Sequence, residues 1–246
     1  PTANVGSMSN QGIEVLIGGS PIQTKNFEWN STLTLAHNRN KLINMSNDLY
    51  ETENYLDGGW TEEPTSMVTQ RTYIGDAIGS FYMLKSVGVV ESGPQKGLWL
   101  IEDPETGEAV PFDSGMRNYD SRFRQYCGSA LPKLTMGWSN TLRFYGVDVT
   151  MSFSGQFGYK IFNCQRMFYE NLNIGLNRYK SATQPVYGTT LAKSQQPVAV
   201  SYYLEDGDYL KLDNFTVGYT FNTKNVKYLD KARVYVSGEN LLCFTK

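Results

Sequence analysis

Residues Asp213 to Phe221 read Asp-Asn-Phe-Thr-Val-Gly-Tyr-Thr-Phe, an alternation with a period of two. Successive side chains in an extended strand point to opposite faces. Phe215, Val217, Tyr219 and Phe221 therefore share one face, and Asn214, Thr216, Gly218 and Thr220 share the other. A helix buries no consistent face with this period. The segment is expected to form a strand whose oily face needs cover and whose opposite face is small and polar.

The same division recurs along the chain. Ile13, Val15 and Ile17 alternate up to the turn-forming cluster Gly18-Gly19-Ser20-Pro21, which predicts a hairpin there. The return strand sets Phe27, Trp29, Leu33 and Leu35 against Glu28, Asn30, Thr32, Thr34 and Ala36. A second hairpin sets Leu134, Met136, Trp138, Leu142 and Phe144 against Thr135, Gly137, Ser139, Thr141 and Arg143. It turns at Tyr145-Gly146 and returns with Val147, Val149, Met151, Phe153 and Phe157 opposite Asp148, Thr150, Ser152, Ser154 and Gln156. A third joins the opening strand to Ala232–Leu242, with Val234 and Val236 on the apolar side and Arg233, Tyr235 and Ser237 on the other.

Long stretches between the hairpins, roughly 39–76 and 158–205, read as irregular. Compact soluble domains seldom carry loops beyond about 12–15 residues, whereas outer-membrane barrels join short turns at one end to long loops at the other. Within 78–112, Ser80–Val90 reads as one strand, and Leu98–Ile101 with Ala109–Phe112 as a small hairpin around Asp103-Pro104-Glu105-Thr106-Gly107. No run of about 18 apolar residues marks a membrane helix, but a spanning β-strand needs about 9–11 residues, half of them polar. The fold class expected is all-β: an antiparallel transmembrane β-barrel segment, part of a large plugged barrel, with long extracellular loops. A secreted or surface β-sandwich that binds glycans is the alternative from another class, and a passive porin the alternative among transporters.

Composition narrows the function. A net charge of −2 gives no electrostatic footprint for nucleic acid. The 17 tyrosines suit a membrane–water girdle or a glycan-binding surface, since the ring is apolar and its tip polar. Cys127, Cys164 and Cys243 lie far apart and are odd in number, which signals neither a zinc site nor a disulfide framework. His37, the single histidine, reads as an ordinary polar residue at a strand end. No nucleophile elbow, phosphate loop or dinucleotide fingerprint is present, so no catalytic residue, metal site or cofactor is expected. The acidic clusters Glu102-Asp103-Glu105-Glu108 and Glu205-Asp206-Asp208 lack calcium-loop spacing and read as solvated loops.

Aromatics in the long stretches, among them Tyr50, Tyr55, Phe168 and Tyr203, can stack on sugar rings or peptide side chains, or pack together to hold a loop. Trp60, Tyr169, Tyr179, Tyr187 and Tyr202 are the substrate-binding candidates.

One stretch has a familiar order. Tyr209-Leu210-Lys211-Leu212-Asp213-Asn214-Phe215-Thr216-Val217-Gly218-Tyr219-Thr220, then Ala232-Arg233-Val234-Tyr235-Val236-Ser237-Gly238-Glu239-Asn240-Leu241 and Phe244-Thr245-Lys246, resembles the closing barrel segment of SusC/RagA-type TonB-dependent outer-membrane transporters. Asn4-Val5-Gly6, Asn10-Gln11-Gly12-Ile13-Glu14, Phe27-Glu28-Trp29, Ile78-Gly79-Ser80-Phe81-Tyr82 and Leu131-Pro132-Lys133-Leu134-Thr135-Met136-Gly137 resemble further blocks in the same order.

The resemblance implies that residues 1–246 are a C-terminal portion of a receptor barrel in the outer membrane of a Bacteroidetes-like bacterium. It implies import of an oligosaccharide or oligopeptide, a SusD-like surface lipoprotein as lid, and energy from TonB through a plug outside this stretch. An aspartate-rich block often found in the family before Leu131-Pro132 is absent, which argues against a calcium site there. The sequence opens on Pro1 with no leader, as processing or truncation would leave it. Some seven or eight strands fall short of the ~22 in large plugged transporters. An open arc in lipid leaves unpaired edges that cost several kcal/mol per orphan group, so these strands are expected to need the rest of a barrel.

Overall fold

The computed structural model describes residues 6–46, 53–61, 65–118, 120–175, 177–224 and 226–245. In chain order the strands begin with β1 (Ser7–Gln23), β2 (Phe27–Asn44), β3 (Tyr55–Trp60), β4 (Val68–Tyr73) and β5 (Ser80–Leu84). Next come β6 (Ser86–Val89), β7 (Trp99–Glu102), β8 (Ala109–Pro111), β9 (Arg124–Ser129), β10 (Leu134–Phe144) and β11 (Val147–Phe157). After β12 (Lys160–Phe162) the helix α1 (Cys164–Tyr169) is followed by β13 (Leu204–Asp206), β14 (Tyr209–Phe221) and β15 (Ala232–Thr245). The chain forms two compact units. Asn10–Arg39, Pro132–Tyr159 and Gly207–Lys246 make a strand unit; Pro1–Ser9, Asn40–Leu131 and Lys160–Asp206 make a core unit.

The strand unit is built on one six-stranded sheet, ordered β1-β2-β10-β11-β14-β15, with antiparallel pairing from β2 through β15. Its register turns the sequence alternation into rows. Leu33, Trp138, Phe153, Leu212 and Leu242 pair in succession across five strands, as do Trp29, Leu142, Val149, Val217 and Val236. On the opposite face run Asn30, Thr141, Thr150, Thr216 and Ser237. A slip of one residue between any two strands would put valines among threonines, so the pattern fixes the pairing. At 11 residues each, β10 and β11 match the span of a hydrocarbon layer.

Turn chemistry closes the hairpins at one end. Tyr145 and Gly146 have φ of 48° and 87°, both left-handed, as a two-residue turn between twisted strands requires. The first turn departs from expectation. Gly18-Gly19-Ser20-Pro21 lies inside β1, and the chain reverses at Thr24–Asn26, where the Thr24 N–H donates to the Phe27 carbonyl at 2.8 Å. Pairing with β2 overrides the turn signal, because Gly18 packs against Thr32 and a proline is tolerated in a strand at a sheet edge.

A second departure is at Asp213. It is skipped in the pairing with both β11 and β15, a bulge that resets the alternation so that Leu210 and Leu212 join the face of Phe215 and Val217.

The core unit holds a four-stranded sheet, β3-β4-β5-β9, a three-stranded sheet, β6-β7-β8, and the pair β12-β13. The stretch 39–76 is therefore not irregular, since it holds the end of β2 with β3 and β4, whereas 158–205 stays largely irregular around β12, α1 and the start of β13. Their strands of three to six residues are too short to show a period. The single strand expected over Ser80–Val90 is two, broken at Lys85, because β5 pairs with β4 and β9 while β6 pairs with β7. The small hairpin is present as β7–β8. Met67, Leu84, Trp99, Ile101, Met167 and Val200 belong to one buried cluster in this unit.

His37 sits within β2 rather than at its end, and its Nδ1–H donates to the Lys133 carbonyl at 2.6 Å. Asp103 is buried rather than solvated: its carboxylate accepts from the Glu105 N–H at 3.0 Å and from Arg122 at 2.8 Å. The hydrogen bond from Arg122 holds this carboxyl below its ordinary range.

Candidate functional site

Two surfaces carry the recognisable chemistry. The first is the polar face of the strand unit. Glu28, Arg143, Asp148 and Gly218 follow one another across β2, β10, β11 and β14. Arg233 on β15 reaches back over Gly218 and pairs with Asp148 in a bidentate contact through Nε and Nη2. Any side chain at Gly218 would meet that guanidinium, so the glycine opens the passage. Arg143 lies 3.5 Å from Glu28, which also accepts from Asn30 at 2.7 Å. Thr216 and Ser237 share a hydrogen bond of 2.7 Å. This wall is charged but self-paired, as suits a face in contact with water.

The opposite face of the same sheet is apolar and open. Val234, Val236, Leu242 and Phe244 are exposed, Val236 by 76%. Among the described residues, Leu212 is the one large apolar side chain of this unit that is buried. Its indoles are nonetheless satisfied, since Trp29 donates to Asn140 Oδ1 and Trp138 to Ser31 Oγ, each at 3.0 Å. Phe27, Phe144, Tyr219 and Phe221 gather at the turn end of this face, with Phe27 stacked on Phe144 and Tyr219 edge-on to Phe221.

The second surface is an aromatic assembly in the core unit. Trp99 is fully enclosed, and its backbone N–H donates to the buried amide of Gln195 at 3.0 Å. Around its ring lie Tyr187, Tyr202 and Tyr203, at centroid distances of 6.4, 5.4 and 6.0 Å. Tyr203 is buried, which pushes its hydroxyl pKa up; Tyr187 is 49% exposed.

Arg166 on α1 ties this assembly down. Its guanidinium donates to Glu170 at 3.0 Å, to Glu205 at 2.6 Å and to the Tyr202 hydroxyl at 3.3 Å, and lies 5.3 Å from the centre of the Tyr202 ring. Burial works against its charge, but the two carboxylates outweigh it and raise the Arg166 pKa. In return, its hydrogen bond draws the Glu205 carboxyl down. The acidic cluster at 205 is thus part of a hub, not a free loop.

The five candidates from the sequence do not form one site. Tyr187 and Tyr202 meet on Trp99, while Tyr169 and Tyr179 pair with each other at 5.5 Å. Trp60 ends β3, exposed and opposite Val68, on a different sheet. Tyr50 lies outside the described residues. Sequence reasoning missed Trp99 and Arg166, which carry no local motif. The dipeptide Tyr187-Gly188 was the one readable signal of the turn that presents Tyr187. The described residues contain no cluster of three His, Cys, Asp or Glu side chains able to hold a metal ion.

No protein-family model matches the chain. TonB-dependent receptor P3 of Formosa agariphila is 28% identical over 98% of the chain, and TonB-dependent receptor P26 of the same organism is 26% identical over 98%. TonB-dependent receptor SusC of Bacteroides thetaiotaomicron is 23% identical over the whole of this chain. Over nearly its whole length the chain is similar to SusC-type TonB-dependent receptors. It spans about a quarter of the length of these receptors, 24–25%. The solved RagAB peptide transporter aligns with 99% of the chain and 26% of its own, with a TM-score of 0.74 and 23% identity. The RagAB importer in its "open-open" state aligns with a TM-score of 0.73. The all-β antiparallel fold expected from the alternation is the fold this chain shares with these RagAB structures, and the proteins matched by sequence are named TonB-dependent receptors.

Proposed function

We propose that residues 1–246 form a C-terminal portion of the barrel wall and the extracellular loops of a TonB-dependent importer in a bacterial outer membrane. Its cargo is a large nutrient, an oligosaccharide or oligopeptide. The observation that carries this reading is the two-faced sheet: five-strand rows of Val, Leu, Phe and Trp, half-buried to exposed apart from Leu212, run along one side, while paired charges and hydroxyls line the other. Lipid covers the first face and an aqueous lumen wets the second. The free edges of β1 and β15 are where further strands of the barrel join.

The likeness to SusC and to RagAB supports a SusD-like surface lipoprotein as partner and TonB, acting through a plug, as the energy source. The aromatic assembly and the Tyr169–Tyr179 pair belong to the loops that meet cargo, with Trp60 a separate contact. The β-sandwich alternative needs a second sheet over Val149, Phe153 and Val217, and the exposure of Val217 and Val236 speaks against one.

The test is a deletion strain complemented with the full-length gene. The full-length protein is expected in the outer-membrane fraction, with heat-modifiable migration, and restored uptake must depend on TonB. Recovery of the folded protein from the aqueous phase, with uptake indifferent to TonB, would refute the reading.

A further inference from the structure

We propose that Tyr187 is a cargo-stacking residue and that the cargo it receives is a neutral sugar ring, an inference that rests on the importer reading above. Val186 and Thr189 exchange both backbone hydrogen bonds at 3.0 Å and close a two-residue turn over Tyr187 and Gly188. Their φ angles are 49° and 86°. Such a turn takes Asn-Gly or Asp-Gly most readily, and an aromatic residue in its first position works against the turn. Strain of this kind persists where the surroundings hold it.

Here the surroundings hold the ring. Tyr187 lies edge-on to Trp99 and Tyr202, and Trp99 and Tyr203 beneath are fully enclosed. Tyr187 as a whole is still half exposed. Tyr145-Gly146 shows that such a turn admits tyrosine; what sets Tyr187 apart is that its ring is mounted on the Trp99–Tyr202 base and still left half uncovered. That is a preorganised stacking platform.

The charges beside the neighbouring Tyr202 narrow the ligand class. Arg166 is occupied by Glu170 and Glu205, and Ser181 donates to Glu170 at 2.8 Å. What the platform offers is ring faces, with partial negative charge above each ring, and the polarised C–H face of a pyranose fits them. A peptide would look for free ions or an open strand edge, whereas the ions beside Tyr202 are paired and the Val186–Thr189 turn is closed.

The chain supplies its own control. Tyr145-Gly146 is the same dipeptide in the same kind of turn, in the strand unit, with Tyr145 77% exposed. The experiment compares Tyr187→Asn, Tyr187→Trp and Tyr145→Asn in the full-length transporter. Each protein is titrated with a panel of neutral oligosaccharides and one of oligopeptides of equal mass, and its melting temperature is recorded. Expected are oligosaccharide binding by the wild type, a loss of tenfold or more in Y187N, retention in Y187W and no change in Y145N. Y187N should melt close to the wild type, because relief of the turn offsets the lost ring contacts. Binding of peptides in place of oligosaccharides overturns the proposal. So does oligosaccharide binding indifferent to Y187N, or lost only along with melting of the loops. An importer that is correctly inserted and TonB-dependent yet fails these comparisons sinks the platform alone; a protein absent from the outer membrane sinks the importer reading itself.

Discussion

Val236 on β15 is 76% exposed, whereas Ile101 on β7 is completely enclosed, although both are β-branched residues in antiparallel strands. The strand unit and the core unit draw on the same apolar vocabulary and dispose of it differently. In the core unit, short strands and α1 fold their apolar side chains onto one another around Trp99, so the unit carries its own reason to be stable. In the strand unit a whole face is left to be covered by something else. Hydrophobicity alone therefore does not say where a residue goes; the partner of its face does.

That contrast can be broken first at Trp99. Trp99→Ala in the full-length protein should cost the core unit about 3–5 kcal/mol. Hydrogen exchange should show amides of β6–β8 and 186–203 losing protection while β10 and β11 keep theirs. Loss of protection across both units together would show that they are not separate in energy.

Next come the two faces of β11. Val149→Arg should destabilise the membrane-inserted protein by about 2–4 kcal/mol, read from urea unfolding in liposomes. Its neighbour Thr150→Arg, on the polar face, should stay within about 0.5 kcal/mol. Equal costs would remove the assignment of lipid to one side.

Cysteine chemistry offers a finer probe. Burial pushes the Cys127 thiol up to about 11, which lowers its thiolate fraction on the order of a hundredfold. Cys243 is exposed, so iodoacetamide at pH 8 should modify Cys243 well before Cys127, as counted by mass spectrometry of the tryptic peptides. Comparable rates would mean that the core unit opens on the timescale of alkylation.

The smallest effect belongs to pH. Arg166 holds the Glu205 carboxyl below its ordinary range, so its contribution is fully present above that range, at neutral pH, and is lost as acid protonates the group. For a partly exposed pair this is worth under about 1 kcal/mol. Limited proteolysis at pH 3 should cut near α1 faster than at pH 7, and Glu205→Gln should remove most of that difference. A pH response unaltered by E205Q would place the acid sensitivity elsewhere.

Much of the strand unit was readable because a period of two is a local signal. The hairpin at Tyr145-Gly146, the two faces and the polar–apolar rows follow from counting residues, and register follows from matching faces. The misplaced turn at Gly18–Pro21 shows the limit: turn-forming residues stayed extended because β2 continued to pair alongside them. Of the site, the aromatics were legible as a class. Their sorting into a Trp99 assembly, a Tyr169–Tyr179 pair and a separate Trp60 was not.

The sequence by itself determined that most of this chain is strand, which side chains share a face, and that one face is oily while the other is polar, because those properties depend on neighbours two residues apart. Tertiary structure alone decided that Asp213 bulges, that Arg233 crosses Gly218 to Asp148, and that Trp99 and Arg166 fix the tyrosines in place. Each of those depends on side chains brought together from distant strands, where packing and charge, not local period, set the outcome.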